Sequence, residues 1–589
     1  MRVAIIQAAW ERNCTPYIPL NLLSLATYIK QKGHAPLVFD LNLIYRGSSL
    51  PEDFFISSAR MIIARKPDVL AFSVVCNTLP TTLLVVEECK KFFPKLPVIF
   101  GGPGVAFEGE EVLKTFKNID VIVRGEGELT LVDVLASLQN NKPFGEIPGI
   151  TYREGGSVIR NPDRPVIVDL DDLPCVDYSL LPRIDEYEIF AVEAGRGCPF
   201  HCTFCSTSKM WGHKFRIKSP HKVAEEVKRA QAIIKDKDKI ISIGHDHFLA
   251  SRKNAEKFLK EIKGQRVKWN CFSRLESLDD NLIKKLKEAN CQSVAVGIET
   301  ASARSQRQIK KNLPLEKLPD LLRAFDKHDV FAELSFTLGF PHEGKKELDQ
   351  TLLLALRSKL HALSSDIRLG VLTLLKGTEM YQGSRHLMTG RILKEQGGLS
   401  PVVTNLPAEI SLIKKYPHIF PSFFCLKNKA IKTHTVLKLR NLFSYLINIF
   451  PMTSLVLMQD QSLSPVELGL DLLSFYKKTR KFNWLSLPDD PSVATEGLRK
   501  YAADIKSQLV DEVFMHETLL WEGYLSKRPS GSNVQLAVYD HDVFSLAQAL
   551  RAGKMTLPPK SRCYVAYVPG KRTEAVRLDY SDYRRLMCA

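Results

Sequence analysis

Three absences narrow the reading before any motif is considered. No stretch of about 20 residues is apolar enough to span a membrane. The most apolar late segment, Leu439–Met458, is interrupted by Arg440, Asn441, Ser444, Asn448 and Pro451. It reads as a buried or interfacial helix, with contact to a membrane surface left open. The opening MRVAIIQAAW carries one Arg before a short apolar run, so it reads as a buried first strand and not as a signal peptide. Without a secretory signal, the twelve Cys point to a reducing, cytoplasmic setting, where thiols serve as ligands or as buried apolar groups. There is also no internal repeat, low-complexity block or long basic tract studded with aromatics. The net charge of +17 therefore reads as a solvated, Lys-rich surface, and nucleic acid is not expected as a partner.

What is present suits a folded protein of several domains. At 589 residues the chain exceeds what one core usually holds, and 45% hydrophobic with 25% charged residues excludes wholesale disorder. Over residues 1–145 strands and helices alternate. Val3–Gln7, Leu37–Asp40, Val69–Val75, Val98–Phe100 and Val121–Val123 read as strands, and Pro19–Lys32 and Leu83–Phe93 as helices. This is a doubly wound, Rossmann-like parallel sheet, whose ligands bind at the carboxyl ends of the strands. Gly101-Gly102-Pro103-Gly104 and Gly125-Glu126-Gly127 fall there. Residues 146–188 read as a linker, with a hairpin over Tyr152–Val168. A second α/β series over 189–390 has strands at Phe190–Ala194, Ile240–Gly244, Lys268–Ser273, Ser293–Ile298, Ala332–Leu338 and Ile367–Leu372. Six βα units describe a partial (β/α)6 barrel. Residues 391–589 read as mostly helical, with late strands at Gln535–Tyr539 and Arg562–Val568.

The sharpest signal is Gly197-Cys198-Pro199-Phe200-His201-Cys202-Thr203-Phe204-Cys205, a C-x3-C-x2-C run on a loop after a strand. Thiolates this close can converge on separate irons of a cubane cluster. Three ligands leave one iron open to a chelating small molecule. Two other readings stand beside this one: a zinc site completed by His201 or His213, and three buried Cys close together by chance. His245 and His247 in Ser242–Phe248 are either satisfied barrel residues or a substrate-facing acid/base pair.

The run, with its aromatic before the last Cys, resembles the radical S-adenosylmethionine (SAM) signature, and the resemblance extends along the barrel. Trp269–Arg274 is similar to that superfamily's third strand, Gly297-Ile298-Glu299-Thr300 to its fourth, and Gly339-Phe340-Pro341 to its fifth-strand turn. Leu374–Tyr381 resembles the P-G-T-x-L-Y turn, with Lys376 in place of the Pro. The resemblance implies that Cys198, Cys202 and Cys205 hold a [4Fe–4S] cluster, and that Phe204, Arg274 and Glu299 contact SAM. An external donor such as flavodoxin or ferredoxin would supply the electron.

Residues 1–140 resemble the cobalamin-binding domain that precedes many such barrels. The matching pieces are Ile18–Ala26, Gly33-His34, Pro67–Ser73, Phe100–Gly104 and Ile119–Glu128. They imply cobalamin contacts at Ser73, Val74, Gly101, Gly102, Gly125 and Glu126. Gly102 in particular would leave room for the nucleotide tail. No D-x-H-x-x-G is present, which implies base-off cobalamin without a His beneath cobalt. The function implied is a cobalamin-dependent radical SAM C-methyltransferase acting on an unactivated carbon of a small-molecule, lipid or peptide substrate. The alternatives are radical cyclisation, rearrangement or epimerisation without methyl transfer, and a non-catalytic cobalamin-binding protein. Methylthiotransferases carry extra cluster Cys in their first domain, and Cys14, Cys76 and Cys89 do not fit that arrangement.

Overall fold

The computed structural model describes residues 1–9, 15–47, 50–236, 239–362, 364–393, 406–428, 431–479, 491–525, 535–552, 560–568, 574–579 and 581. Cys14 lies outside them. The chain divides into two compact units. One holds residues 1–296, 307–312 and 373–427, and the other 297–306, 313–372 and 428–589. This division cuts across the barrel segment predicted from sequence.

In the first unit the opening strands are β1 (Arg2–Gln7), β2 (Ala35–Asp40), β3 (Val69–Ser73), β4 (Val98–Gly101) and β5 (Val121–Val123). Their order is β2-β1-β3-β4-β5, all parallel. The continuous apolar runs AII, LAF and VIF fit strands covered on both faces. Helix Leu20–Gln31 buries Leu22, Leu23, Ala26 and Ile29, and Gly33 at φ +84° closes it. The hairpin expected in the linker is present as β6 (Ile150–Glu154) and β7 (Ser157–Arg160), but it is no linker. It extends the first sheet antiparallel, through Val121↔Tyr152 and Val123↔Ile150. Helices Phe54–Ala64 and Gly127–Gln139 complete the layers; the sequence reading did not place either.

The second series begins in the same unit with β8 (Ile189–Glu193), β9 (Gly195–Arg196), β10 (Arg216–Ile217), β11 (Ile240–Gly244), β12 (Lys268–Ser273) and β13 (Cys291–Glu299), whose last three residues fall in the second unit. β8, β11, β12 and β13 are parallel neighbours. The first domain is stitched to this sheet, since Ile18 N–H donates to the Ile189 carbonyl at 3.0 Å and Tyr17 bridges Ile189. The predicted boundary at residue 390 does not hold in packing. Strands β16 (Met388–Ile392) and β17 (Phe424–Leu426) and helix Pro407–Lys415 belong to the first unit. There Ile392, Ile413, Ile419, Phe420, Phe423 and Phe424 share one core with Phe54, Phe72 and Phe100.

The second unit contains β14 (Phe331–Leu338) and β15 (Asp366–Val371), paired in parallel from Glu333↔Asp366 to Leu338↔Val371. Helix Lys345–His361 packs against Thr433–Ile449, Pro451–Asp460 and Pro465–Thr479. The apolar stretch read as one helix is two, bent by 111° between Ile449 and Pro451. No single described helix is long and apolar enough to cross a membrane. Pro451 opens the second of the pair, where its missing N–H costs nothing. Glu517 caps that helix, accepting from Met452 N–H at 2.7 Å and Thr453 N–H at 2.8 Å. Burial pushes the Glu517 carboxyl up to about 8, against the pull of those bonds. A carboxyl raised in the folded state contributes stability that is lost as pH climbs from the ordinary carboxylate range through about 8. Glu517→Gln keeps an acceptor for the cap and removes that loss. Its unfolding free energy is expected to vary less with pH than the parent's across this range, while Glu517→Ala loses the cap, about 1 kcal/mol. Denaturant melts between pH 6 and 9 would check both. A three-stranded antiparallel sheet of Gln535–His541, Lys560–Val568 and Glu574–Leu578 ends the unit, with Tyr539, Val565 and Tyr567 in its small core.

Candidate functional site

The three-cysteine loop hangs from a two-strand clasp. β9 and β10 pair antiparallel, Gly195 with Ile217 and Arg196 with Arg216, and residues 197–215 run between them. The close approach explains both glycines. A Cβ at Gly195 would lie 2.5 Å from the Arg216 carbonyl oxygen, and at Gly197 2.1 Å from that of Lys214, with Gly197 also at φ +89°. Within the loop Cys205 N–H donates to the Cys202 carbonyl at 3.1 Å, and Thr203 N–H to that of Ile309 at 3.1 Å. Met380 N–H, in the turn where Lys376 replaces Pro, donates to the Thr203 carbonyl at 2.8 Å. Lys376 itself pairs with Glu108 and Glu111, an ionic anchor that a proline would not make.

Cys198 and Cys202 are half-buried and Cys205 is exposed; all three are free thiols. Burial pushes Cys198 up, with Asp246 and the other two Cys adding to the effect. Burial also raises Cys202, and the charges of Lys311 and Arg274 pull against it. Arg274 Nη1 lies 3.5 Å from Cys202 Sγ, and its guanidinium carbon stands 3.7 Å from the Phe200 ring centroid. The two candidate zinc histidines are tied elsewhere: His201 and His213 each place Nδ1 2.9 Å from Ser208 Oγ. Among the described residues no three His, Cys, Asp or Glu side chains converge on a single ion. A cubane does not require that, because each thiolate binds its own iron.

His245 and His247 are both buried at the end of β11. Burial pushes each down to about 4, so both are neutral at physiological pH. His247 Nε2 sits 2.9 Å from Ser277 Oγ, and His245 stacks on Phe215 with centroids 5.1 Å apart. His247 is held at one nitrogen, while its Nδ1 and both ring nitrogens of His245 are buried without a hydrogen-bond partner.

An open cavity of about 570 Å3 lies at the carboxyl ends of the first sheet. Phe107, Gly125 and Leu129 line it from the first domain, and Lys209, Met210 and His213 from the segment after the cysteines. Next to it is a buried ionic cluster. Arg196, two residues before Cys198, pairs with Glu126 at 2.6 Å, Glu128 at 2.7 Å and Glu193 at 2.8 Å. Arg216 adds a bond to Glu126 at 2.9 Å.

Comparison with known proteins decides the family. The Radical SAM superfamily model matches residues 192–355, and the B12 binding domain model matches residues 15–135. An uncharacterized methyltransferase of Pyrococcus horikoshii is 31% identical over 345 residues, 57% of this chain and 72% of that relative. The chain belongs to the radical SAM enzymes with a B12-binding domain. An anaerobic magnesium-protoporphyrin IX monomethyl ester cyclase of Rubrivivax gelatinosus is 25% identical over 351 residues, 57% of this chain and 61% of the relative. The solved structure of the cobalamin-dependent SAM radical enzyme OxsB, with aqua-cobalamin and SAM bound, superposes with a TM-score of 0.59 at 14% identity. That match covers 94% of this chain and 84% of OxsB, and shows the same fold through the helical C-terminal region.

The cofactors of this radical SAM enzyme are a [4Fe–4S] cluster, SAM and cobalamin. The donor set fits the first: three thiols on one clasped loop, backed by Arg274. For SAM, Phe204 is half-buried between Thr203 and Cys205. Glu299 ends β13 at φ +67°, uncommon for a residue with a side chain, and accepts a 2.8 Å bond from Thr337 Oγ1. Strain of this kind concentrates where ligands are held. It lies in the second unit, Arg274 in the first.

For cobalamin, the strand ends offer open space at one position. Gly125, at φ +74°, has nothing within 4 Å of where a Cβ would sit. His34 is the only histidine before residue 140, and it precedes β2, at the opposite end of the sheet from the cavity. The first domain itself thus offers no His beneath cobalt, and His213, which lines the cavity from the segment after the cysteines, has its Nδ1 2.9 Å from Ser208 Oγ. The other predicted contacts are engaged within the protein. Ser73 Oγ accepts from Asn21 Nδ2 at 2.6 Å. Val74 exchanges backbone bonds with Gly101 and Gly104. Glu126 is committed to Arg196 and Arg216.

Gly102, read as leaving room for the nucleotide tail, needs correction as to cause, and Gly104 shares that cause. A Cβ at Gly102 would lie 2.6 Å from the Val74 carbonyl oxygen, and at Gly104 2.6 Å from the Val75 carbonyl carbon. Chain packing, not ligand room, dictates glycine at both. Gly104→Ala is therefore expected to destabilise the first domain by about 1–3 kcal/mol through overpacking, seen as a lower denaturation midpoint of cofactor-free protein. The residues that sequence reasoning missed are Arg196, Lys311 and Glu343. Glu343 accepts from Gly339 and Phe340 N–H at 2.9 and 3.1 Å, pinning the G-F-P turn. Its signal, a Glu two residues past the Pro, is visible only once the turn is known.

Proposed function

We propose that this chain is a cobalamin-dependent C-methyltransferase that acts on an unactivated carbon of a small-molecule, lipid or peptide substrate. A flavodoxin- or ferredoxin-class protein in the cytoplasm would supply its electron. The observation that carries this reading is the cavity of about 570 Å3, because one space is walled by the B12-binding domain and by the segment that follows the cluster cysteines. When bound, SAM supplies a hydrogen-abstracting radical and cobalamin a methyl donor, and both must reach one carbon. Phe107, Leu129, Met210 and Tyr381 give this space apolar surface, and Lys209 and Arg385 line it as well. The Arg196 cluster fixes the strand ends of one module against the clasp of the other. The 31% identical relative named a methyltransferase supports the same reading.

Cyclisation without methyl transfer is the second reading, because a 25% identical relative is a cyclase. Anaerobic incubation with SAM deuterated in its methyl group separates the two. The expected product carries the intact labelled methyl group, formed together with 5′-deoxyadenosine. Release of 5′-deoxyadenosine with a converted but unlabelled product would favour ring formation. A variant that fills the cavity tests the site itself. Leu129 is 37% exposed on a helix that lines it, so a Trp there enlarges without backbone strain. Leu129→Trp is expected to lower cobalamin uptake at least tenfold while iron content stays at the parent level. Both are read from absorbance and metal analysis.

A further inference from the structure

We infer that Arg274 sets the reduction potential of the cluster by donating an N–H to the Cys202 sulfur, with Lys311 as a second cation on the same side. This rests on the family assignment and goes beyond the SAM contact expected of Arg274.

The guanidinium is held so that this contact is enforced. Nε donates to Glu276 Oε1 at 2.6 Å, and Nη2 donates to the Lys311 carbonyl at 2.7 Å. The face of the group lies on Phe200, 3.7 Å from the ring centroid. With two nitrogens and one face fixed, Nη1 is left 3.5 Å from Cys202 Sγ. The side chain is only 8% exposed, so its charge is weakly screened.

The surrounding charges are asymmetric. Glu276 offsets part of the arginine charge, but its side chain is 32% exposed, so solvent screens it more than it screens Arg274. Lys311 is buried, and its charge acts on Cys202. His247 is kept neutral beside these two cations. The charge of Asp246 acts on Cys198, not on Cys202. Positive charge is thus concentrated at Cys202. Reduction adds one electron and no proton to the cluster, taken from an external low-potential donor, so the site becomes more negative by one charge. Hydrogen bonds to the sulfurs and nearby cations favour that state.

The test is a potentiometric titration of anaerobically reconstituted full-length protein without SAM, using dithionite and mediators and followed by paramagnetic resonance. In Arg274→Met the ratio of reduced to oxidised cluster at the parent midpoint is expected to fall about tenfold, a shift of about 59 mV to more negative potential for a one-electron couple. Lys311→Met shifts in the same direction by less. Arg274→Lys keeps the charge but not the fork and falls between parent and Met. A parent-like midpoint in Arg274→Met, with SAM binding weakened, would overturn the inference and leave Arg274 as a SAM contact alone. If Arg274→Met retains no iron, unchanged midpoints in Arg274→Lys and Lys311→Met overturn it equally. The methyl product is not read in this experiment. The parent's iron content reports separately on the family assignment.

Discussion

Alanine at Cys198, Cys202 or Cys205 is expected to remove the brown chromophore and to abolish SAM cleavage, a loss to the detection limit and not a partial one. A cubane held by three thiolates on one loop has no spare thiolate. The controls follow from burial. Cys271 and Cys425 are fully buried thiols, Cys271 on β12 and Cys425 on β17. They behave as small apolar side chains, so Cys271→Ala and Cys425→Ala should keep parent-level iron and sulfide and lose only some stability. Iron, sulfide and 5′-deoxyadenosine assays on the five variants check this together. Iron loss in both controls as well would mean that the clasped loop is not the ligand set.

The largest effect on stability is expected at Arg196. It is 4% exposed and faces three carboxylates, of which Glu126 and Glu128 are as deeply buried. Arg196→Met leaves Glu128 without its cation, while Glu126 keeps Arg216 and Glu193 keeps Lys218, and it costs about 3–5 kcal/mol at neutral pH. The pH profile should also invert. In the parent, burial raises the Glu128 carboxyl, but the charge and hydrogen bonds of Arg196 outweigh it and hold Glu128 below the ordinary carboxylate range. A depressed carboxyl contributes stability that is present above its unfolded value and is lost as pH falls through the folded one. Without Arg196, burial is opposed only by the hydrogen bonds from Ser24 and the backbone, so mild acid protonates Glu128 and recovers part of the deficit. Denaturant melts at pH 5 and 7 measure this: the parent should be no more stable at pH 5, and the variant should be.

How much of this was legible in the chain varies with the physics of each feature. The strands of both series were read within two residues or so, because buried parallel strands write continuous apolar runs bounded by glycine and charge. The C-x3-C-x2-C run stood out because its three cysteines share one short segment, which the structure places between β9 and β10. The hairpin Ile150–Arg160 was found but misplaced as linker, since alternation reveals a hairpin and not the sheet it joins. The segment around Phe420–Phe424 was assigned to the C-terminal region, although its side chains complete the first core. Nothing local to it names so distant a partner. Lys376 looked like a departure from a proline motif, and the reason lies in Glu108 and Glu111, more than 260 residues earlier. The glycines of the G-G-P-G loop were placed at the carboxyl ends of the strands, with Gly102 read as room for a ligand. What approaches them is the backbone of Val74 and Val75, a contact that only the folded chain reveals.

The central claim is that one chain holds both a cubane cluster and a cobalamin that lacks a histidine beneath cobalt. Paramagnetic resonance of the reconstituted, cobalamin-loaded and partly reduced protein tests it most directly. The expected spectrum contains a reduced [4Fe–4S] signal together with a base-off cob(II)alamin signal free of nitrogen superhyperfine splitting. A cluster signal with no retained cobalamin, or a cob(II)alamin signal split by an axial nitrogen, would contradict it.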